Sequence, residues 1–383
     1  MNPAQPHLSE LNVVERMAVR YLRRRNALKE PQVHRWPREE LRTIRWLEIS
    51  AVILAAVSGI ASGALIGGLE IWLNFTITDT DESWIRWVEY WAIFLGVSVV
   101  ISAVEIVFLY WVVLWRVARI TSIAGLRLSE EEVEQVIAIG LSRAALDLPD
   151  PREPIYGIDP FQRVPRWRLW TYALMYRLKI GATSFIVRVM LRRILARAAV
   201  RALIPLVAIV VYAIWNAIII GWIMRGSRVR AAGPVAIAEL ADSVRSKLDG
   251  LDEHTRRLML AAVAEVIIRS ENDHPNFVLL LGRLFQEFDI EPGSLTVDWT
   301  ARQSDLGELK PEEQELLLML VNITVMLDGR PRRKQKRFAE EVHTACGRRF
   351  DPGELDEIYA EFFQGQGLGG AAPRRPETSP GVG

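Results

Sequence analysis

The residue types and spacings able to do chemistry in this chain are few. Glu105 is the one acid in the apolar run 90–115, with Ser98 and Ser102 seven and three positions before it. Asn216 sits in another apolar run, 203–224. An ionised carboxylate in lipid costs roughly 2.5 kcal/mol or more, so Glu105 must be protonated, paired or facing a wet cavity. Two chemistries follow. One is a proton or ion relay, with Glu105 and Asn216 lining the path. The other is a neutral carboxylic acid that hydrogen-bonds across helices. No second acid or base accompanies Glu105 in its run, which favours the structural reading.

The histidines are His7, His34, His254, His274 and His343. "DEHTR" around His254 and "ENDHPN" around His274 contain oxygen and imidazole ligands. Both fall at helix starts, where Asp and Asn serve as caps. There is no HExxH, paired CxxC, Walker A loop or GxSxG. No catalytic, cofactor-binding or metal residue is assigned, and no cofactor is expected. Cys346 is the single cysteine, which excludes an intramolecular disulfide and a cysteine-only zinc site. It reads as a buried small hydrophobe.

The elements that would position these groups are membrane segments. A bilayer core of about 30 Å needs about 20 apolar residues as helix. Residues 49–69 and 90–115 supply this, and 203–224 supply a third run. Ala51, Ala55, Gly59, Gly63 and Gly67 recur at intervals of four, with Ser58 and Ser62 beside them. In lipid, helices associate through close backbone approach, which small residues permit. The stripe is a packing groove for another helix, either in this chain or in a second subunit. Trp84, Trp87, Tyr90 and Trp91 mark one end of the second run, and Tyr110, Trp111 and Trp115 the other.

Orientation follows from arginine and lysine. Ten cations, from Arg16 to Arg45, precede the first run, whereas the loop "NFTITDTDESWIRW" carries only Arg86. Positive residues stay inside. The expectation is an integral protein of the bacterial inner (plasma) membrane with a cytoplasmic amino terminus. The third run has arginines on both flanks. Pro205, Asn216 and Gly221 are interruptions suited to a re-entrant hairpin, and a cytoplasmic carboxyl half is favoured over a spanning helix.

Ser129 and Glu132 form a capping box for a helix to about Leu146. Residues 147–165 form a proline-rich linker or ordered loop. From Trp167 to Arg201 arginines alternate with aromatics in helical rhythm. Because this stretch runs into an apolar segment, anionic lipid headgroups are the expected partner at the basic helix 188–201, and nucleic acid is not.

Residues 231–364 are polar and helix-periodic. Helices are predicted at 235–248, 253–270, 275–289, 312–327, 332–346 and 353–363. Asp252, Asp273 and Asp351 are N-caps, and Pro275, Pro311 and Pro352 lie in first turns. The stretch "LVNITVMLDGRPRRKQKRFAEEVHTACG", followed by "DPGEL", resembles the TerB-like family named for tellurite resistance. The likeness covers about 255–363 and is best over 316–358. It implies a compact helical module and a role in stress or at the cell envelope. In that family an acid often lies seven positions after the Asp of Asp-Gly. Asp328 matches, but the later position is Gln335, and the turn carries Arg330, Arg332, Arg333, Lys334, Lys336 and Arg337. That run would repel a cation, so no metal site is carried over. It is a candidate basic patch for an acidic partner or headgroups, beside the reading of a solvated face. "RALIPLVAIVVYAIWNAIIIG" resembles EcsC-type membrane-associated proteins in its Pro205-to-Asn216 spacing, with Ala208 and Tyr212 where glycines are usual.

The fold expected is all-α: a transmembrane helical hairpin plus a third membrane-embedded segment, then a soluble TerB-like helical bundle. The divisions are 1–46 (basic amino-terminal segment), 47–118 (hairpin), 119–184 (helical and linker region), 185–230 (basic helix and third segment), 231–364 (helical domain) and 365–383 (disordered tail). The function expected is a non-enzymatic membrane protein presenting an interaction module to a protein partner or a second copy. A small oligomeric channel or proton-coupled transporter using Glu105 is the alternative.

Overall fold

The computed structural model describes residues 11–26, 34–77, 84–126, 132–146, 148, 154–171, 204–293 and 299–367. Among these the chain is helical, with one isolated bridge between Ile155 and Ile158. The main helices are α1 (Val13–Asn26), α2 (Arg38–Ile77), α3 (Trp84–Ile123), α4 (Glu132–Ala145), α5 (Ile204–Lys247), α6 (Glu253–Ser270), α7 (Pro275–Phe288), α8 (Pro311–Met326), α9 (Arg333–Ala345) and α10 (Pro352–Phe363). They form two compact units. The polar unit contains residues 1–42, 118–163 and 226–383; the apolar unit contains 43–117 and 164–225.

The polar unit is built around α6 and α8, which pack on each other. Every residue from Leu258 to Ile268 is buried, as is every residue from Leu316 to Leu327. A helix enclosed on all sides needs neighbours on all sides. Here α7 and α9 pack on α6, and α9 and α10 pack on α8. One layer further out, α4 packs on α7 and α1 on α4. Gly140 permits the α4–α7 contact, because a Cβ there would fall 2.3 Å from Pro275 Cγ.

Local signals explain the helix limits. Asp252 accepts from Thr255 N at 2.7 Å to open α6, and Asp351 accepts from Gly353 N at 2.8 Å to open α10. The expected Asp273 cap is corrected: His274 is the N-cap of α7, its Nδ1 accepting from Asn276 N at 3.3 Å. Glu271 and Asp289 close α6 and α7 in the left-handed conformation.

Two expectations about elements are revised. The third apolar run is not interrupted at Pro205, Asn216 or Gly221; it is one helix from Ile204 to Lys247 that also absorbs the helix expected at 235–248. Pro205 stands in the first turn, where its missing N–H is no loss. Pro234 lies inside the helix, and five residues before it Asn276 Nδ2 donates to the Val229 carbonyl at 3.2 Å. The tail, expected to be disordered from residue 365, begins docked. Trp36 N donates to the Gly365 carbonyl at 3.0 Å, and Gln366 Nε2 donates to the Trp36 carbonyl at 2.7 Å.

In the apolar unit, α2, α3 and α5 are long and apolar enough to cross a membrane. Ala51, Ala55, Gly59, Gly63 and Gly67 are all buried. The groove takes α5. A Cβ at Gly59 would fall 2.7 Å from the Tyr212 carbonyl oxygen, and one at Gly63 would fall 3.0 Å from Ile209 Cα. Gly221 faces Val52 in the same alignment, so α2 and α5 run antiparallel. The α2–α3 hairpin closes differently, through Ile66, Leu73 and Phe94 with Tyr90 and Trp91 around them.

Candidate functional site

The structure joins the two intramembrane polar residues. Asn216 Nδ2 donates to Glu105 Oε1 at 2.5 Å, linking α5 to α3. Both side chains are half-buried. The sequence marked each separately; they lie 111 positions apart, and only the packing of α5 beside α3 brings them together. An amide N–H aimed at a carboxyl oxygen satisfies one of its acceptor sites whether or not the group is protonated. Ser98, one turn or more before Glu105 on the same helix, is buried with its hydroxyl oxygen unpartnered among the described residues. Ser62 is buried and donates to the Gly59 carbonyl at 3.3 Å, and Ser58 is half-buried beside it. Toward the other end of the hairpin, Arg116 is buried and donates to Ser50 Oγ at 3.3 Å and to the Val112 carbonyl at 3.2 Å. Arg116 stands one residue past the apolar run 90–115, and nothing in its sequence neighbourhood points to Ser50, 66 positions away.

The basic run proves to be mostly engaged within its own unit. Arg332 donates to the Ser270 carbonyl at 2.7 Å, Lys334 pairs with Glu271, and Lys336 and Arg330 approach Asp356 at 3.0 and 3.9 Å. Arg333 and Arg337, one helical turn apart on α9, are exposed and have no ion pair among the described residues. Of the six residues, these two form the outward charge.

At the Asp-Gly turn, Asp328 Oδ1 accepts from Gln335 Nε2 at 3.1 Å and Oδ2 from Asn272 Nδ2 at 3.3 Å. Gln335 is fully buried, and its Oε1 accepts from Arg332 N at 2.8 Å to cap α9. The residue standing where the resembling family carries an acid thus works as a turn-closing amide. Burial pushes the Asp328 carboxyl above the usual range, against the opposing pull of Gln335 and Arg332. No group of three or more His, Cys, Asp or Glu able to hold a metal lies together among the described residues.

Three histidines, His254, His274 and His343, make contacts within the polar unit. His254 lies at the start of α6, exposed, 3.3 Å from Asp305. His274 is buried, and burial with Arg230 and Arg332 nearby holds its pKa well below the usual value. His343 Nε2 meets Asn322 Oδ1 at 3.2 Å, and burial lowers its pKa to about 4. Cys346 is buried, and its thiol is pushed up to about 11 by desolvation.

A further cluster escaped the sequence reading. Glu265, 1% exposed in the middle of α6, takes both Arg163 guanidinium nitrogens at 2.6 and 3.0 Å and Arg269 Nε at 2.8 Å. Arg269 also pairs with Glu341 at 2.9 Å and stacks on the Phe338 ring. A charged residue at a fully apolar position of a central helix was the available signal. The cluster ties the loop 154–165 to the core. The basic helix expected at 188–201 lies outside the described residues. Compared with family models, curated proteins and solved structures, the chain matches none of them.

Proposed function

We propose that the chain is a non-enzymatic membrane protein whose apolar helices hold a polar helical unit at one face of the bilayer, where the unit engages a protein partner. The supporting observation is how the polar unit is assembled. The described residues within 1–42, 118–163 and 226–383 are separated in sequence by the apolar helices yet belong to one compact unit. A compact body lies on one side of a membrane, so the amino-terminal segment, the α4 region and the carboxyl half share a face. The arginines before α2 make that face the cytoplasmic one. The resemblance to TerB-like modules is the ground for a stress-related role. The acidic partner is met by Arg333 and Arg337, the outward members of the basic run.

The test is affinity capture with the full chain in detergent, since α1 and α4 belong to the unit as well as residues 231–364. A partner recovered with the natural chain and lost with Arg333→Glu/Arg337→Glu supports the reading. Recovery unchanged by that reversal removes Arg333 and Arg337 from it, and recovery of nothing specific removes the adaptor role.

A second reading rests on the Glu105–Asn216 bond: a channel or proton-coupled transporter. Reconstituted vesicles that pass protons with the natural chain, and fail to with Glu105→Gln, would put it ahead.

A further inference from the structure

Helix α1 divides its charges between two faces. Glu15, its one acid, is turned inward: Oε1 accepts from Arg143 Nε of α4 at 2.9 Å, and Oε2 accepts from Asn12 N at 2.8 Å. Ala18, Val19 and Leu22 are buried on the same side. At 3.6 residues per turn, Val13, Val14, Met17, Arg20 and Arg24 fall on the opposite side. Val13, Val14 and Met17 are 63%, 56% and 64% exposed. Arg20, Arg24 and Arg25 are exposed and Arg16 half-exposed, and none of these four has an ion pair among the described residues.

The outer face therefore presents apolar side chains in its first half and uncompensated cations in its second. A helix with this division suits a surface that is both greasy and anionic, which describes the headgroup layer of a negatively charged leaflet. Covalent connection brings such a surface within reach. α2 starts at Arg38 after eleven residues, which span at most about 36–40 Å, and α2 is long and apolar enough to enter a bilayer. We propose that the Val13–Val14–Met17 face of α1, with Arg16, Arg20 and Arg24, docks on anionic lipid headgroups. This is a lipid contact separate from the helices that cross, and it stands apart from any protein partner of Arg333 and Arg337.

The experiment uses the full chain in nanodiscs holding one copy, with Met17→Cys carrying an environment-sensitive fluorophore. Cys346 is enclosed, so labelling favours the new thiol. Glu340→Cys, exposed on α9, is the reference. Discs of phosphatidylcholine alone are compared with discs containing phosphatidylglycerol as one part in three. The expected result is blue-shifted emission at position 17, and quenching by headgroup spin-labelled lipid, in the anionic discs. Both signals fall to the Glu340 reference level in the Arg20→Glu/Arg24→Glu variant. Raising the salt concentration on the labelled Met17→Cys chain lowers them without any further substitution. A water-like signal in both disc types overturns the proposal, as does a shift indifferent to lipid charge. Shielding that appears only when discs hold two copies assigns the face to self-association instead and also overturns it.

Discussion

In α6 every residue from Leu258 to Ile268 is enclosed, whereas α3, a longer and more continuously apolar helix, leaves Val99, Val100, Val104, Val107 and Trp111 exposed. In the polar unit, burial removes apolar surface from water, and side chains of Leu, Ile, Val and Phe fill the space between helices. In the apolar unit that drive is absent between helices, because lipid is as good a neighbour as another side chain. There α2 and α5 meet by backbone, at Gly59 and Gly63. The polar groups differ in the same way. Glu265 in the polar unit is matched by two arginines, while Glu105 in the apolar unit meets the uncharged amide of Asn216. A helix apolar on all sides thus means a core in one region and an outer surface in the other.

The comparison breaks most easily at the α2–α5 contact. Gly59→Leu would push a side chain into the Tyr212 backbone, which cannot swing aside, and should cost about 3 kcal/mol. Gly68→Leu, where nothing lies within 4 Å, should change stability by less than about 0.5 kcal/mol. Unfolding of the two variants in mixed micelles measures the contrast, and equal losses would show that close backbone contact does not hold this unit together.

Acid sharpens the comparison from the other side. His274 and His343 are held neutral by burial, below their unfolded pKa near 6.5. Folded-state pKa values depressed in this way give stability that is complete above about pH 6.5. It is lost as pH falls, because the unfolded chain binds protons that the folded chain refuses. Each histidine contributes a slope of about 1.4 kcal/mol per pH unit between about pH 6.5 and its folded value, which for His343 is about 4. The raised Asp328 carboxyl acts with the opposite sign at the acid end of that window. Chemical denaturation at pH 7 and pH 5.5 should show a loss of about 2–3 kcal/mol, removed in part by His343→Phe. A flat profile would mean these histidines are not enclosed.

The smallest effect is expected at Glu105. Glu105→Gln keeps an acceptor for Asn216 Nδ2, and polar contacts between membrane helices average about 0.6 kcal/mol. Unfolding should shift by less than about 1 kcal/mol for Gln and somewhat more for Glu105→Leu. A large loss on Glu105→Gln would show that the charge, rather than the hydrogen bond, organises the three helices.

Helix limits in the polar unit were legible because they depend on neighbours in sequence. Asp252, Asp351, Pro275 and Pro352 act within one turn of where they stand, and helices expected at 253–270 and 353–363 are found at Glu253–Ser270 and Pro352–Phe363. Asp273 misled because the next residue, His274, also carries an acceptor in reach of the α7 N-terminus. The continuous α5 was missed because Pro205, Asn216 and Gly221 look like breaks locally, whereas Pro205 falls in the first turn and the helix runs on past the other two. The basic run could be read as charge but not as a used charge: Glu271 and Asp356, which take Lys334 and Lys336, come from other elements.

By itself the sequence determined which stretches are apolar, which faces they share, and where most helices of the polar unit begin. These properties follow from the helical period and from capping groups within a turn of their targets. Only the tertiary structure decided that the glycine groove receives α5, that Glu105 meets Asn216, and that Arg163 reaches Glu265 across 102 positions. A periodic pattern says that a face must be covered and is silent on what covers it. That choice is made by the joint packing of helices far apart along the chain.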